Sequence, residues 1–92
     1  MIRTGKLYWT PGIRNLMANS LNSEIVQVIG DCLNKHEHGD WGIVSDEDKK
    51  LNDEAVENGF RVLSAYKVDE KKIWIITEAD RESTTILLPE EY

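Results

Sequence analysis

Three groups of residues in this 92-residue chain have types and spacings that could do chemistry. The first is His36, His38 and Asp40. In an extended segment alternate side chains point the same way, so two imidazoles and a carboxylate would converge and could bind zinc or nickel. Where a metallo-hydrolase ligand motif would continue with a histidine, however, this chain has Trp41, and it holds only 2 histidines in all. A structural role fits better, with His36 ending a helix near its negative pole and Asp40 capping the turn that follows. No metal and no cofactor is expected.

The second group, Glu78, Asp80 and Arg81, lies where a central strand should end. With His36 brought near by folding, Glu78 and Arg81 would supply acid, base and phosphate-binding groups for RNA cleavage, as in small toxin-type nucleases. A simpler reading makes Arg81 a turn residue paired with the carboxylates of Asp80 and Glu82. The third group is a single residue, Cys32, at helical spacing from Ile25 and Ile29, which reads as a small core side chain rather than a nucleophile. One thiol provides neither an internal disulfide nor a cysteine zinc cluster.

Charge narrows the field further. The net charge is −6, from 11 basic and 17 acidic residues, which argues against nonspecific binding to a phosphate backbone, because that affinity comes from Lys and Arg displacing counterions. The distribution is uneven: residues 1–20 carry Arg3, Lys6 and Arg14 and no acid, residues 45–57 sum to −4, and residues 58–72 to +2. Acidic faces of this kind suit a basic partner or imitate DNA, although acids also simply keep a small protein soluble. Hydrophobic residues at 40% and charged residues at 30% are ordinary globular usage. No apolar run approaches the roughly 20 residues of a membrane helix, and no secretory leader is visible, so a cytoplasmic location is expected.

The elements that must position these groups follow from the hydrophobic pattern. Leu7-Tyr8-Trp9 reads as a short strand, and Thr10-Pro11-Gly12 as a turn, with helical spacing in Ile13, Leu16 and Met17. Asn19-Ser20 or Asn22-Ser23 would cap the next helix, from about Ser23 to Lys35, whose Ile25, Ile29 and Leu33, flanked by Val26, Val28 and Cys32, predict a wide buried face. The segment from His36 to Gly42 breaks it. Ser45-Asp46-Glu47-Asp48 reads as a capping box opening a helix that stops at Gly59, with Leu51, Ala55 and Val56 as its few apolar residues. From Phe60 to Val68 the period changes to two, Asp69-Glu70-Lys71 turns the chain, and Lys72–Thr77 and Ser83–Leu88 follow as strands, ended by Pro89.

The segments Gly39-Asp40-Trp41-Gly42 and Trp74-Ile75-Ile76-Thr77-Glu78-Ala79-Asp80-Arg81, with Thr84-Thr85-Ile86-Leu87-Leu88-Pro89-Glu90-Glu91-Tyr92, resemble a family of small bacterial proteins without an assigned activity, common on plasmids, phages and other mobile elements. The likeness covers roughly residues 36–92 and brings no known chemistry with it, so residues 13–35 rest on their own periodicity. Some relatives carry restriction-modification labels. A methylation subunit finds no support in this chain, which is short for such an enzyme and has no glycine-rich cofactor loop after a strand.

The expectation is therefore one α+β domain over residues 1–92: a short N-terminal strand, a buried helix, an acidic helix, and a three-stranded antiparallel meander with the helices on one face. One Phe against three Trp and three Tyr favours amphipathic rings at partly exposed surfaces. The leading functional expectation is a noncatalytic module of a mobile element that binds a host or element-encoded protein through Trp41, Tyr66, Trp74 and the acids Asp46, Glu47, Asp48 and Glu54. Its sharper form is inhibition of restriction or another defence system by DNA mimicry. A small ribonuclease using Arg81, Glu78 and His36, and a metal-dependent hydrolase using His36, His38 and Asp40, are the alternatives. An unpaired sheet edge could also support a homodimer.

Overall fold

The computed structural model describes residues 1–18 and 24–92, so the caps considered at Asn19-Ser20 and Asn22-Ser23 lie outside the described residues. Along the chain run β1 (Lys6–Trp9), α1 (Pro11–Ala18), α2 (Glu24–Glu37), α3 (Asp46–Asn58), β2 (Val62–Val68), β3 (Lys71–Thr77), β4 (Ser83–Leu87) and a 3-10 turn over Pro89–Glu91. The four strands form one sheet in the order β1-β4-β3-β2. The expected meander is present as β2, β3 and β4, antiparallel throughout, and β1 joins it by running parallel to β4.

Local chemistry explains most boundaries. Thr10-Pro11-Gly12, expected as a turn, instead opens α1: the Thr10 carbonyl accepts from the Arg14 amide, and Pro11 occupies the first helical position, where its missing N–H costs nothing. Ser45 caps α3 by accepting from the Asp48 amide, and Gly59, at φ 75°, ends it by donating to the Ala55 carbonyl. The β2–β3 hairpin turns on Asp69 and Glu70, with Asp69 at φ 54°. Phe60 is not in the strand; its amide also returns to the Ala55 carbonyl, and β2 begins at Val62.

Helices α1 and α2 cover one face of the sheet, and α3 lies along its β2 edge. Ile13 of α1 and Ile25, Ile29 and Cys32 of α2 pack on Tyr66, Val68, Ile73, Ile75 and Ile86. The buried stripe of α2 is narrower than its composition predicts, since Val26 and Val28 stay exposed. A second cluster joins Ile2, Trp41, Ala55 and Val62. In α3 the expected apolar contacts Leu51 and Val56 face solvent, and the residue turned inward beside Ala55 is Asn52. Its side-chain amide donates to the Leu63 carbonyl at 2.8 Å and accepts from the Leu63 amide at 3.2 Å, standing in for a neighbouring strand. Helix α3 thus docks by pairing with the outer backbone of β2, with little apolar burial.

Candidate functional site

His36, at the end of α2, is fully buried. Its Nδ1 lies 2.6 Å from Ser64 Oγ and its Nε2 2.8 Å from Thr77 Oγ1. Thr77 Oγ1 lies 2.7 Å from Thr84 Oγ1, and the Thr84 hydroxyl donates to the Thr4 carbonyl at 2.8 Å. A carbonyl can only accept, which fixes every proton in the row. Thr84 spends its proton on Thr4, so Thr77 donates to Thr84. His36 then carries its proton on Nε2 and donates to Thr77, and Ser64 donates to Nδ1. Burial, with the Arg81 charge nearby, pushes the imidazole down to about 4, so the ring is neutral at physiological pH. The Ser64–His36 contact has the geometry of a nucleophile and its base, but both side chains are sealed from solvent and no substrate atom could reach them. The row is a satisfied polar seam across the sheet. His36 therefore does not end α2 as a cation; His38 does the capping, with Nδ1 2.8 Å from the Asn34 carbonyl.

Arg81 and Glu78 do come together. Both line a depression of about 680 Å³, with Arg3, Lys6, Tyr8 and Asp80. His36 is not in its wall. Arg81 sits at φ 62°, and its guanidinium is turned onto main-chain carbonyls, with Nη1 donating to Phe60 at 2.7 Å and Glu78 at 3.0 Å and Nη2 to Ala55 at 3.0 Å. The expected ion pairs of Arg81 with Asp80 and Glu82 are replaced by this cap on the C-terminus of α3, where a cation meets the negative end of the helix dipole. Asp80 instead accepts from the Glu82 amide, shaping the turn. Glu78 pairs with Arg61, at 3.7 Å. The ribonuclease constellation is thus split: one member is buried, one holds a helix end, and one is half-exposed beside another arginine.

The metal constellation is also dispersed. His36 uses both ring nitrogens within the protein, His38 folds back on Asn34, and Asp40 accepts from the Gly42 amide at 3.2 Å, as the turn role for Asp40 requires. Among the described residues, no three His, Cys, Asp or Glu side chains are grouped to hold an ion. Cys32 is buried, and that burial pushes its thiol up, away from the reactive thiolate.

Of the expected contact residues, Trp41 and Tyr66 are core residues instead. Trp41 donates from Nε1 to Asp53 at 2.9 Å and meets the His36 ring edge-on at 5.6 Å. Tyr66 donates to the Asp40 carbonyl at 2.6 Å, and burial pushes its hydroxyl up to about 12. Each ring has its polar atom satisfied inside, which removes the reason to leave it at a surface. Trp74 is half-exposed, and Asp46, Glu47, Asp48 and Glu54 are exposed on α3, where Asp46 pairs with Lys49 at 4.0 Å.

Register assigns Trp74 to the face opposite the helices. The rows Tyr8-Thr85-Ile76-Leu63 and Leu87-Trp74-Ala65 cross it, with the pairs Lys6-Ser83 and Lys72-Lys67 on either side. Tyr92 meets Trp74 edge-on at 5.6 Å, and Arg61 lies 5.2 Å over the Tyr92 ring while donating to its hydroxyl at 2.7 Å. On this face Lys6, Arg61, Lys67 and Lys72 surround the aromatic rings, and acids adjoin them: Glu78 pairs with Arg61, Asp80 and Glu82 line the depression that holds Lys6 and Tyr8, and Glu70 and Glu90 line the one beside Lys72. The sequence pattern marks the aromatics but not the cations that share their face. The alternation in β2 and β3 contained their placement, once the inward row Ser64, Tyr66, Ile73 and Ile75 is known.

Neither a protein family, nor a curated protein, nor a solved structure matches the chain.

Proposed function

We propose that the protein is a noncatalytic interaction module that docks a partner protein on its open sheet face, centred on Trp74. The observation that carries this reading is the division of labour among its polar residues. His36, Arg81, Asp40 and Cys32 are committed to the interior or to helix ends and turns, whereas Trp74, Tyr8, Tyr92, Lys67 and Lys72 stand on the face opposite the three α-helices, around the buried Ala65, Ile76 and Leu87. Half-exposed aromatic rings amid long charged side chains are the composition of a contact surface, in which the rings supply area and the charges at the rim fix partner and register. The resemblance of residues 36–92 supports a role on a mobile element, with a host or element-encoded protein in the cytoplasm as partner. No helix of the described residues is long and apolar enough to cross a membrane.

The exposed acids Asp46, Glu47, Asp48 and Glu54 favour a second version of the same reading, in which α3 imitates a nucleic-acid backbone and occupies the basic cleft of a defence enzyme. Host lysate passed over immobilised wild-type protein, Trp74→Ala, Glu78→Gln and a variant neutralised at the four α3 acids separates these. A partner kept by wild type and Glu78→Gln but lost by Trp74→Ala supports the sheet face; loss only with the α3 variant transfers the role to the acids. RNA cleavage by the purified protein that Glu78→Gln abolishes would overturn the noncatalytic reading.

A further inference from the structure

The two edges of the sheet are finished differently. At the β2 edge, Asn52 occupies both backbone groups of Leu63, the Ala65 amide donates to the Trp41 carbonyl at 3.1 Å, and the Ala65 carbonyl accepts from Ile43 at 2.8 Å. At the β1 edge the parallel ladder turns the amides of Lys6 and Thr10 toward β4, onto Glu82 and Ile86, so the alternate residues Leu7 and Trp9 direct theirs outward. No proline or bulge interrupts β1. Its side chains are bare as well: Leu7 is 41% exposed and Trp9 52%, although both lie on the helix-covered side in register with Thr84 and Ile86. The strand overhangs the helix layer, leaving apolar surface beside unpaired backbone groups, the combination that templates strand addition.

We propose that this edge pairs with β1 of a second copy of the chain, antiparallel about a two-fold axis at Tyr8, to give a dimer with a continuous eight-stranded sheet. The sequence of β1 and its flanks selects that occupant and that register. With the axis at Tyr8, Leu7 of each copy faces Trp9 of the other as a hydrogen-bonded pair. Four N–H···O=C bonds form, and the two Leu-Trp pairs extend the apolar layer on the helix side. The two Tyr8 rings come side by side on the open face. Lys6 lies opposite Thr10, and the two Lys6 residues stand four strand positions apart, about 13 Å, beyond the screening length at physiological salt. An axis at Trp9 would place Pro11, which has no N–H, opposite Leu7. An axis at Leu7 would bring the two lysines to two positions apart.

The pairing uses the backbone of Leu7 and Trp9 and does not depend on Trp74 or on any partner at the open face. Sedimentation of the full chain between about 1 and 300 µM is expected to show conversion to a species of twice 10.6 kDa. Leu7→Pro, which removes an outward N–H and leaves the β1–β4 bonds in place, is expected to stay monomeric, as is Trp9→Lys; Trp74→Ala is expected to dimerise as wild type does. Because an edge variant could misfold, amide hydrogen exchange on the wild-type protein is the second measurement. Leu7 and Trp9 amides should gain at least tenfold protection on going from low to high concentration, while Lys6 and Thr10 remain protected throughout. A monomer at 300 µM, or a dimer in which the Leu7 and Trp9 amides exchange as fast as in the monomer, would overturn the proposal.

Discussion

Arg81 Nη2 lies 3.0 Å from the carbonyl oxygen of Ala55, a residue 26 positions earlier in the chain. The contact ties the β3–β4 turn to the last turn of α3 and explains why a non-glycine residue is held at positive φ: the left-handed backbone aims the guanidinium at the carbonyls of Ala55 and Phe60, where its charge meets the negative end of the helix.

Loss of that cap has a definite cost. Arg81→Ala removes the charged donor from the carbonyls of Ala55, Phe60 and Glu78, of which Ala55 and Glu78 keep backbone amide partners, and the expected loss in denaturant-unfolding free energy is about 2 kcal/mol, the scale of hydrogen bonds to a charged group. Glu78→Gln, which removes only an exposed ion pair, should stay within about 0.5 kcal/mol of wild type. This difference matters for the ribonuclease alternative, because Arg81→Ala would confound any change in activity with a loss of stability. Glu78→Gln is the informative substitution.

Stability should fall with acid in a window set by His36. Its folded value near 4 lies below the 6.5 of an exposed imidazole, so between those values the unfolded chain binds the extra proton. The contribution is therefore complete above pH 6.5 and is lost progressively as pH falls to about 4, amounting to roughly 3 kcal/mol. Glu91, whose carboxyl is held below its usual value chiefly by the Thr10 hydroxyl, adds a loss of the same sign at lower pH. Urea titrations at pH 7, 5.5 and 4.5 measure the slope. Nitrogen shifts of the ring at pH 6 should report the Nε2–H tautomer; with the Nδ1–H tautomer Thr77 would donate to Nε2, and a single Thr84 proton could not serve both Thr77 and the Thr4 carbonyl.

Gly42→Ala should be among the most damaging single changes. At φ 75° a Cβ there would collide with the Ala65 carbonyl and the Tyr66 ring, and the bridge between residue 42 and Ala65 would open. A loss of at least about 3 kcal/mol is expected from strain and lost packing together. A thermal melt within a few degrees of wild type would show that the 40–43 turn is not docked on β2.

The Cys32 thiol should be silent in the folded protein. Burial both hides it and disfavours its thiolate, so a disulfide reagent such as DTNB is expected to label native protein at least ~100-fold more slowly than urea-unfolded protein. Rapid stoichiometric labelling of native protein would contradict the buried stripe of α2.

Much of this architecture was legible because it is written locally. Ser45 and Gly59 bound α3 by capping chemistry within a few residues, and the period of two after Phe60 gives the hairpin. Other features depend on partners far along the chain. Nothing in Lys6-Leu7-Tyr8-Trp9 names β4 as its neighbour, and nothing in the helical spacing of α3 reveals that Asn52, rather than Leu51, meets the sheet, because hydrophobicity does not register a strand edge in need of amide partners. The candidate site failed for a related reason. His36, Trp41 and Tyr66 are types that often serve at surfaces, and only the three-dimensional arrangement supplies Ser64, Asp53 and the Asp40 carbonyl that let them be buried at little cost. The inward-facing Ser64, Thr77 and Thr84, at alternating positions of otherwise apolar strands, were the available signal for that seam.

The parallel pairing of residues 6–9 with residues 83–87 also sets a timetable for biosynthesis. A ribosome adding about 5–20 residues per second emits Leu7-Tyr8-Trp9 several seconds before the strand that receives it. Until then the nascent segment trails as a sticky, unmatched ribbon, a binding site for chaperones or for the same segment on a neighbouring polysome.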